Sequence, residues 1–280
     1  MLLTNGFAIN KYDHLWFYSI PAFTATGLVV HGFTTRMGGV STGSYASLNL
    51  GLHVGDDAAA VLENRRRVCR ALGLSFHRLV AAQQVHGGEV CVVASKHQGM
   101  GSDSVDQAIA NVDALITNVP GIPLSSYYAD CVPLFFLDPV NKAVGLAHAG
   151  WKGTVQKIGV NTLQRMSSEF GTDPGDLLVG IGPSIGPCCY VVDSRVINKL
   201  TAAFSCWNEL VKPCGREKWL LDLWETNKRA LLEAGVKEKN ITVAKMCTSC
   251  HSDMFFSHRA SGGCTGRMAS LIMLKDERNN

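Results

Sequence analysis

The sequence has little that would carry it into a membrane or onto a nucleic acid. No stretch of its 280 residues approaches the roughly 18 uninterrupted apolar residues that a spanning helix needs. Long runs of one charge are also missing. Net charge is +3, and the nearest basic cluster, Arg65-Arg66-Arg67, falls inside AAAVLENRRRVCRAL, whose amphipathic spacing makes it a solvated helix face. Membrane and nucleic acid are therefore not expected as partners. The N-terminus, MLLTNGFAINKYDHLW, has neither the basic start nor the apolar core of an export signal. Ten cysteines without such a signal read as reduced thiols in a cytoplasm, some of them available to metal, rather than as a disulfide framework. Internal repeats, low-complexity tracts and Pro/Ser-rich linkers are absent too, and 280 residues suit one large domain or two small ones.

What is present is a mixture of short strands and helices. Asp57 and Gly73 frame a helix over AAAVLENRRRVCRAL. Helical spacing recurs in GTVQKIGVNTLQRMSSEF, SRVINKLTAAF and LDLWETNKRALLEAG. LVAAQQV and EVCVVA look like two strands joined by a Gly-bearing turn, and DLLVGI, ITVAKMC and MASLIML like single strands. Strands linked by hairpins and interspersed with helices predict an α+β fold, or a mixed sheet flanked by helices, over a pure βαβ winding.

One stretch points to chemistry. The buried-looking run AVGLA ends in His148, followed by Ala149-Gly150-Trp151-Lys152. If VPLFFLDPVNKAVGLAHA is a hairpin turning at Pro139-Val140, Phe135 faces Val144 and Cys131 faces His148. Opposed residues share a sheet face with Cβ atoms about 4.5–5.5 Å apart, close enough for a thiolate and an imidazole to share a cation or a proton. Pro133 cannot donate to a ladder, which predicts a sheet edge or a bulge there. His86, in QQVHGGEV, repeats the pattern of strand, histidine and glycine. It is the candidate third ligand for a metal that would keep a fourth position open, against the plainer reading of a histidine in a turn. Cys247-x-x-Cys250, with His251 beside it, reads as ordinary packing, with a redox pair or second metal as the alternative, and Cys188-Cys189 after Gly186-Pro187 reads as a tight turn entering a strand.

Taken together, HGFTTRMGGVSTGSYASLNLGLHVGDD, QQVHGG, YYADCVPLFF, HAGWKGT, GIGPSIGPCCY and FFSHRASGGCTGRM resemble the YfiH/YlmD family, also called the laccase-domain or polyphenol-oxidase family. The resemblance runs from about residue 30 to the C-terminus, with His258 where the family carries a tyrosine before the arginine. It implies a single domain over residues 1–280, a mixed sheet flanked by helices in α/β/α-like layers, with Zn²⁺ at His86, Cys131 and His148, and Cu²⁺ possible in vitro because thiolate and imidazole suit both ions. It also implies phosphorolysis of adenosine, inosine, guanosine and methylthioadenosine, and deamination of adenosine. The partners are then small-molecule nucleosides and phosphate, in no stated oligomeric state. The laccase label fits the residues poorly: a multicopper site is built on His-x-His pairs, and none of the nine histidines forms one.

Arg36, Lys152 and Arg259 are candidates to bind phosphate, through guanidinium forks or a point charge. Trp151 is placed to stack on a purine, Asn49 to bond sugar or base, and Gln84 to line the pocket from the face of His86. Deamination wants a proton shuttle. Asp113 is one candidate, and Asp130 another, although strand alternation would aim it away from Cys131. Two other readings use the same residues: a metal-free cysteine hydrolase pairing Cys131 with His148 or His86, with cell-wall fragments as candidate substrates, and a non-catalytic module stabilised by its zinc.

Overall fold

The computed structural model describes residues 2–4 and 6–276. Along the chain, β1 (Leu2–Thr4), β2 (Phe7–Tyr12) and β3 (Leu15–Ser19) lead through the short helix α1 (Pro21–Ala25) to β4 (Val29–Thr34). A long loop follows, then α2 (Ala58–Leu72), β5 (Val80–Ala81), β6 (Val90–Val92), β7 (Ala114–Thr117), β8 (Leu124–Tyr128), β9 (Val132–Asp138) and β10 (Ala143–Ala149). Next come α3 (Trp151–Val155), α4 (Ile158–Phe170), β11 (Leu178–Ile181), β12 (Val191–Asp193), α5 (Ser194–Ala203), β13 (Val211–Gly215), β14 (Lys218–Leu221), α6 (Leu223–Glu233), β15 (Ile241–Val243) and β16 (Met268–Leu274). None of the described helices is long and apolar enough to cross a membrane.

The α+β class with mixed sheets and flanking helices holds, and two large sheets share the core. One has the order β1-β2-β3-β4-β16-β8-β5, the other β15-β11-β9-β10-β7-β6, and β12-β14-β13 form a small third sheet. Phe33, Leu124, Tyr128 and Ile272 of the first sheet pack on Leu115, Phe135, Leu137, Val144 and Leu146 of the second. Alternation sends Leu134 and Phe136 the other way, onto Ile158, Leu163 and Met166 of α4 and Leu231 of α6. That is why VPLFFLD and AVGLAHA are apolar without alternation: both strands are buried on both faces. Truncating such a leucine to alanine costs about 2–5 kcal/mol. On the outer face of the first sheet, Val68 and Cys69 of α2 cover Leu271 and Tyr127.

The ends of α2 match the sequence. The Asp57 carboxylate accepts the Ala59 and Ala60 N–H groups, and Gly73 closes the helix at φ 65°. Its basic run does not lie wholly in solvent, however. Arg65 is buried, its guanidinium donating to the carbonyls of Leu50, Gly101 and Ser102 and lying over the Tyr127 ring. The expected helix across GTVQKIGVNTLQRMSSEF is broken in two, because Lys157 takes a left-handed conformation at φ 57°. LVAAQQV and EVCVVA are not a hairpin: β5 joins the first sheet and β6 the second. Pro133 is neither at an edge nor in a bulge. It lies inside the sheet where the β9–β11 ladder ends, and its carbonyl accepts the Gly182 N–H. The short strands β1–β3, β13 and β14 are not expected from the sequence, because their polar residues break the alternation, whereas β12 is the strand expected after the Cys188-Cys189 turn.

His31 on β4 ties stability to pH. Its Nε2 accepts the Ile20 N–H at 2.8 Å, and burial lowers its pKa from the ordinary 6.5 to about 4. The folded state therefore favours the neutral ring. The contribution is full above pH 6.5 and is lost as pH falls toward 4, where only the unfolded chain takes the proton. Urea titrations of wild type and His31→Gln should differ in slope over this range by about 3 kcal/mol in total. Parallel slopes would refute the assignment.

Candidate metal and substrate site

The hairpin register differs from the expected one by two residues: Val144 opposes Leu137, and His148 opposes Pro133. A slip of two preserves the face, because side chains alternate with period two. Cys131 lies just before β9 and remains on the side of His148. His86 and Cys131 both occupy segments where the chain crosses between the two large sheets: β5 to β6 for His86, β8 to β9 for Cys131. The ligand atoms of His86, Cys131 and His148 lie within 4.8 Å of one another.

Asp113 organises this triad. Continuing the β10–β7 register beyond Ala147↔Ala114 places it across the ladder from His148. Its Oδ1 is 2.8 Å from His148 Nδ1 and accepts the His86 N–H at 2.9 Å. Its Oδ2 accepts the N–H groups of Val85 at 3.1 Å and Gly87 at 2.6 Å. The same carboxylate therefore holds the left-handed His86 backbone (φ 62°) and one nitrogen of His148, which directs the other nitrogen to the cluster. These bonds lower the Asp113 pKa although burial opposes them. Such a fully engaged carboxylate positions ligands and is a poor proton shuttle.

Burial alone would push the Cys131 thiol up, but the His148 charge and hydrogen bonds from His148 and His86 hold it down to about 6. Burial would likewise lower His148, and its bonds to the Cys131 sulfur and Asp113 raise it to about 9. A thiolate, two imidazoles and a carboxylate behind one of them fit a thiophilic divalent ion such as zinc. No fourth His, Cys or acidic group joins the triad among the described residues.

Gly150 explains part of the HAGWKGT pattern. A Cβ there would stand 2.9 Å from Cys131 Sγ and 3.1 Å from His86 Cδ2. Gly150→Ala should lower metal affinity at least tenfold in a chelator competition, with thermal stability little changed. Retained affinity would show that the sulfur has room to move.

A cavity of about 820 Å³ opens over the triad, lined also by Gln84, Trp151, Lys152 and Arg259. Gln84 spends its amide on the Tyr127 backbone, accepting its N–H and donating to its carbonyl. Lys152 is exposed at the lining and has no ion-pair partner among the described residues. Arg259 lies over the Tyr190 ring and donates to the carbonyls of Cys189 and Val191. Two expected residues lie elsewhere. Arg36 is a latch, its guanidinium bonded to the carbonyls of Ala46 and Ser252 over the Phe256 ring. Asn49 is buried and holds loop backbone at Gly51 and Arg267.

Asp130 corrects the alternation argument. It takes φ 83° in the crossover, so it is not a strand residue, and it lines the cavity. Its carboxylate accepts the Thr248 hydroxyl at 2.6 Å and the Arg259 N–H at 2.7 Å. His53, Arg65, Asp106, Tyr190 and Arg267 also line the cavity and were not anticipated, because they come from separate loops and from α2, and only the fold brings them to one wall.

Residues 30–275 match the family described as "Multi-copper polyphenol oxidoreductase laccase". A purine nucleoside phosphorylase YlmD from Geobacillus stearothermophilus is 42% identical over 249 residues, 89% of this chain and 91% of that protein. The chain belongs to the YfiH/YlmD family. An adenosine deaminase RL5 from an unknown prokaryotic organism is 33% identical over 248 residues, 88% of this chain and 94% of its own length. Among YfiH/YlmD structures, the crystal structure of hypothetical protein YfiH from Bacillus licheniformis superposes with a TM-score of 0.92 at 37% identity, covering 97% of this chain and all of that one.

Proposed function

We propose that the protein is a zinc-dependent purine nucleoside phosphorylase, acting on adenosine, inosine, guanosine and methylthioadenosine, with adenosine deaminase activity at the same His-Cys-His site. The observation that carries this reading is the open three-ligand cluster, backed by Asp113, on the floor of a cavity of nucleoside size. The names borne by its relatives, purine nucleoside phosphorylase and adenosine deaminase, agree with it. Zinc held by His86, Cys131 and His148 would supply Lewis acidity and activate water.

The chain's own groups divide the remaining work. Trp151 offers an aromatic face for the purine. Lys152 and Arg259 stand on the lining as cations for phosphate, and Arg36 drops out of that role. Asp130 is the carboxylate nearest in sequence to Cys131 on the cavity wall; each of its oxygens accepts one hydrogen bond where those of Asp113 each hold two partners, and it takes the role of moving a proton to or from the base. The absence of His-x-His pairs argues against multicopper oxidation, although copper binding in vitro fits the ligand types. Ten unbridged cysteines suit a reducing compartment, the cytoplasm.

The charged Cys131–His148 pair also suits a metal-free cysteine hydrolase, and metal content separates the two. Purified protein should carry zinc. With adenosine and phosphate it should release adenine and ribose 1-phosphate, and without phosphate it should yield inosine, each identified by mass spectrometry. Metal-free protein that hydrolyses a peptide or amide bond and leaves adenosine intact would replace this reading with the hydrolase.

A further inference from the structure

A second cluster of sulfur lies outside the triad. Cys188 and Cys189 follow the Gly186-Pro187 turn, and Cys247 and Cys250 form the C-x-x-C of the segment after β15. All four Sγ atoms lie within 4.8 Å of one another. Cys250 Sγ is 3.5 Å from that of Cys188 and 3.4 Å from that of Cys189. Four thiolates around zinc at about 2.3 Å form a tetrahedron whose edges are about 3.8 Å. The observed sulfur spacing is close to that edge.

Packing does not account for the arrangement. Free cysteine is among the most buried residue types. Here Cys188 and Cys250 are exposed and Cys189 is half-buried, while Cys247 anchors the group in the interior. The backbone brings the two segments together before any ion binds. Ser184 and Cys247 form a parallel bridge, and the Thr248 N–H donates to the Ser184 carbonyl. The Gly186 N–H points at Cys247 Sγ at 3.2 Å, the kind of donor that stabilises a metal thiolate. A Cβ at Gly186 would meet Trp224 at 2.7 Å and Cys247 Cβ at 3.1 Å, so the close approach requires glycine.

We propose that Cys188, Cys189, Cys247 and Cys250 bind a thiophilic divalent cation, zinc by preference, in a closed four-thiolate site separate from the His86–Cys131–His148 triad. Four protein ligands leave no position for water or substrate, which makes the site structural. It clips the C-x-x-C segment to the one that carries Ile185 and Tyr190 of the cavity lining, and Arg259 of that lining donates to the Cys189 carbonyl. The ion's charge and the Gly186 N–H offset the four thiolates.

The test uses full-length protein purified anaerobically and loaded with Zn²⁺ or Co²⁺ alone. Wild type should hold two ions per chain. Cys131→Ser should keep one, and its Co²⁺ form should show the sulfur-to-cobalt charge-transfer absorption and intense visible bands of a tetrahedral thiolate site. Cys250→Ser, at an exposed position, should lose one ion and keep the triad's. Cys188→Ser gives the same readout if that variant folds poorly. Loss of all metal in Cys131→Ser would overturn the proposal while leaving the triad reading intact. So would an intact mass lower by two hydrogens in the anaerobic wild type, mapping to a disulfide among these four residues.

Discussion

Cys131→Ser should remove the triad's metal and, with it, both nucleoside reactions, while the protein stays folded. The sulfur sits where the chain passes between the two large sheets, with His86 and His148 both bonded to it. A serine hydroxyl fills nearly the same space but does not ionise near neutral pH, so it offers neither the negative charge nor the soft donor that zinc takes from thiolate. We expect kcat/KM for adenosine to fall about 10³-fold or more, some 4 kcal/mol of transition-state stabilisation. Metal analysis and circular dichroism on the same sample check that the ion, not the fold, is lost. Activity within tenfold of wild type would remove Cys131 from the chemistry. In metal-free wild type the thiol should alkylate with a midpoint near pH 6, where His148 and His86 hold it, rather than near the ordinary 9. The thiolate is present above that midpoint, so reactivity rises through pH 6 and then levels off.

Asp113→Asn should be nearly as damaging without touching a ligand. Each carboxylate oxygen serves two partners: His86 N–H and His148 Nδ1 on one, Val85 and Gly87 N–H on the other. An amide can present oxygen to only one pair and must turn its NH₂ on the other. If the NH₂ faces His148, the imidazole keeps its proton on Nε2 and cannot ligate through it. If the NH₂ faces Val85 and Gly87, two part-buried donors lose their acceptor. Either way, metal affinity should fall about 10–100-fold and stability by about 2–4 kcal/mol. Chelator competition and urea denaturation measure the two effects separately. Affinity within twofold of wild type would show that Asp113 does not set the geometry of the triad.

These two residues also show how far the sequence could be read. Cys131 and His148 were legible because they end apolar runs on one hairpin, and the wrong register still gave the right face. His86 was legible from its flanking glycines. Asp113 was in view only as a possible acid, since its part as organiser depends on β10 lying beside β7. Arg36 and Asn49 looked like ligand-binding groups in a Gly-rich loop, yet Arg36 is spent on loop carbonyls and Asn49 on loop N–H groups and the Asp56 carboxylate. An isolated sequence does not show which polar side chains the backbone has already claimed. Arg65 was misread because amphipathic spacing records apolar positions and says nothing of an arginine that finds three carbonyls inside.

The sequence by itself determined the helices with their Asp and Gly ends, the apolar strands of the core, and the residue types able to hold a soft metal. These follow from local backbone preference and side-chain chemistry, which travel with each residue. Tertiary structure alone decided that two sheets share the core, and that a carboxylate, two imidazoles and a thiol meet where the chain crosses between them. It alone gathered four cysteines from segments some sixty residues apart. Such meetings depend on which strands become neighbours, and that is settled by burying apolar faces across the whole chain rather than by any short stretch of it.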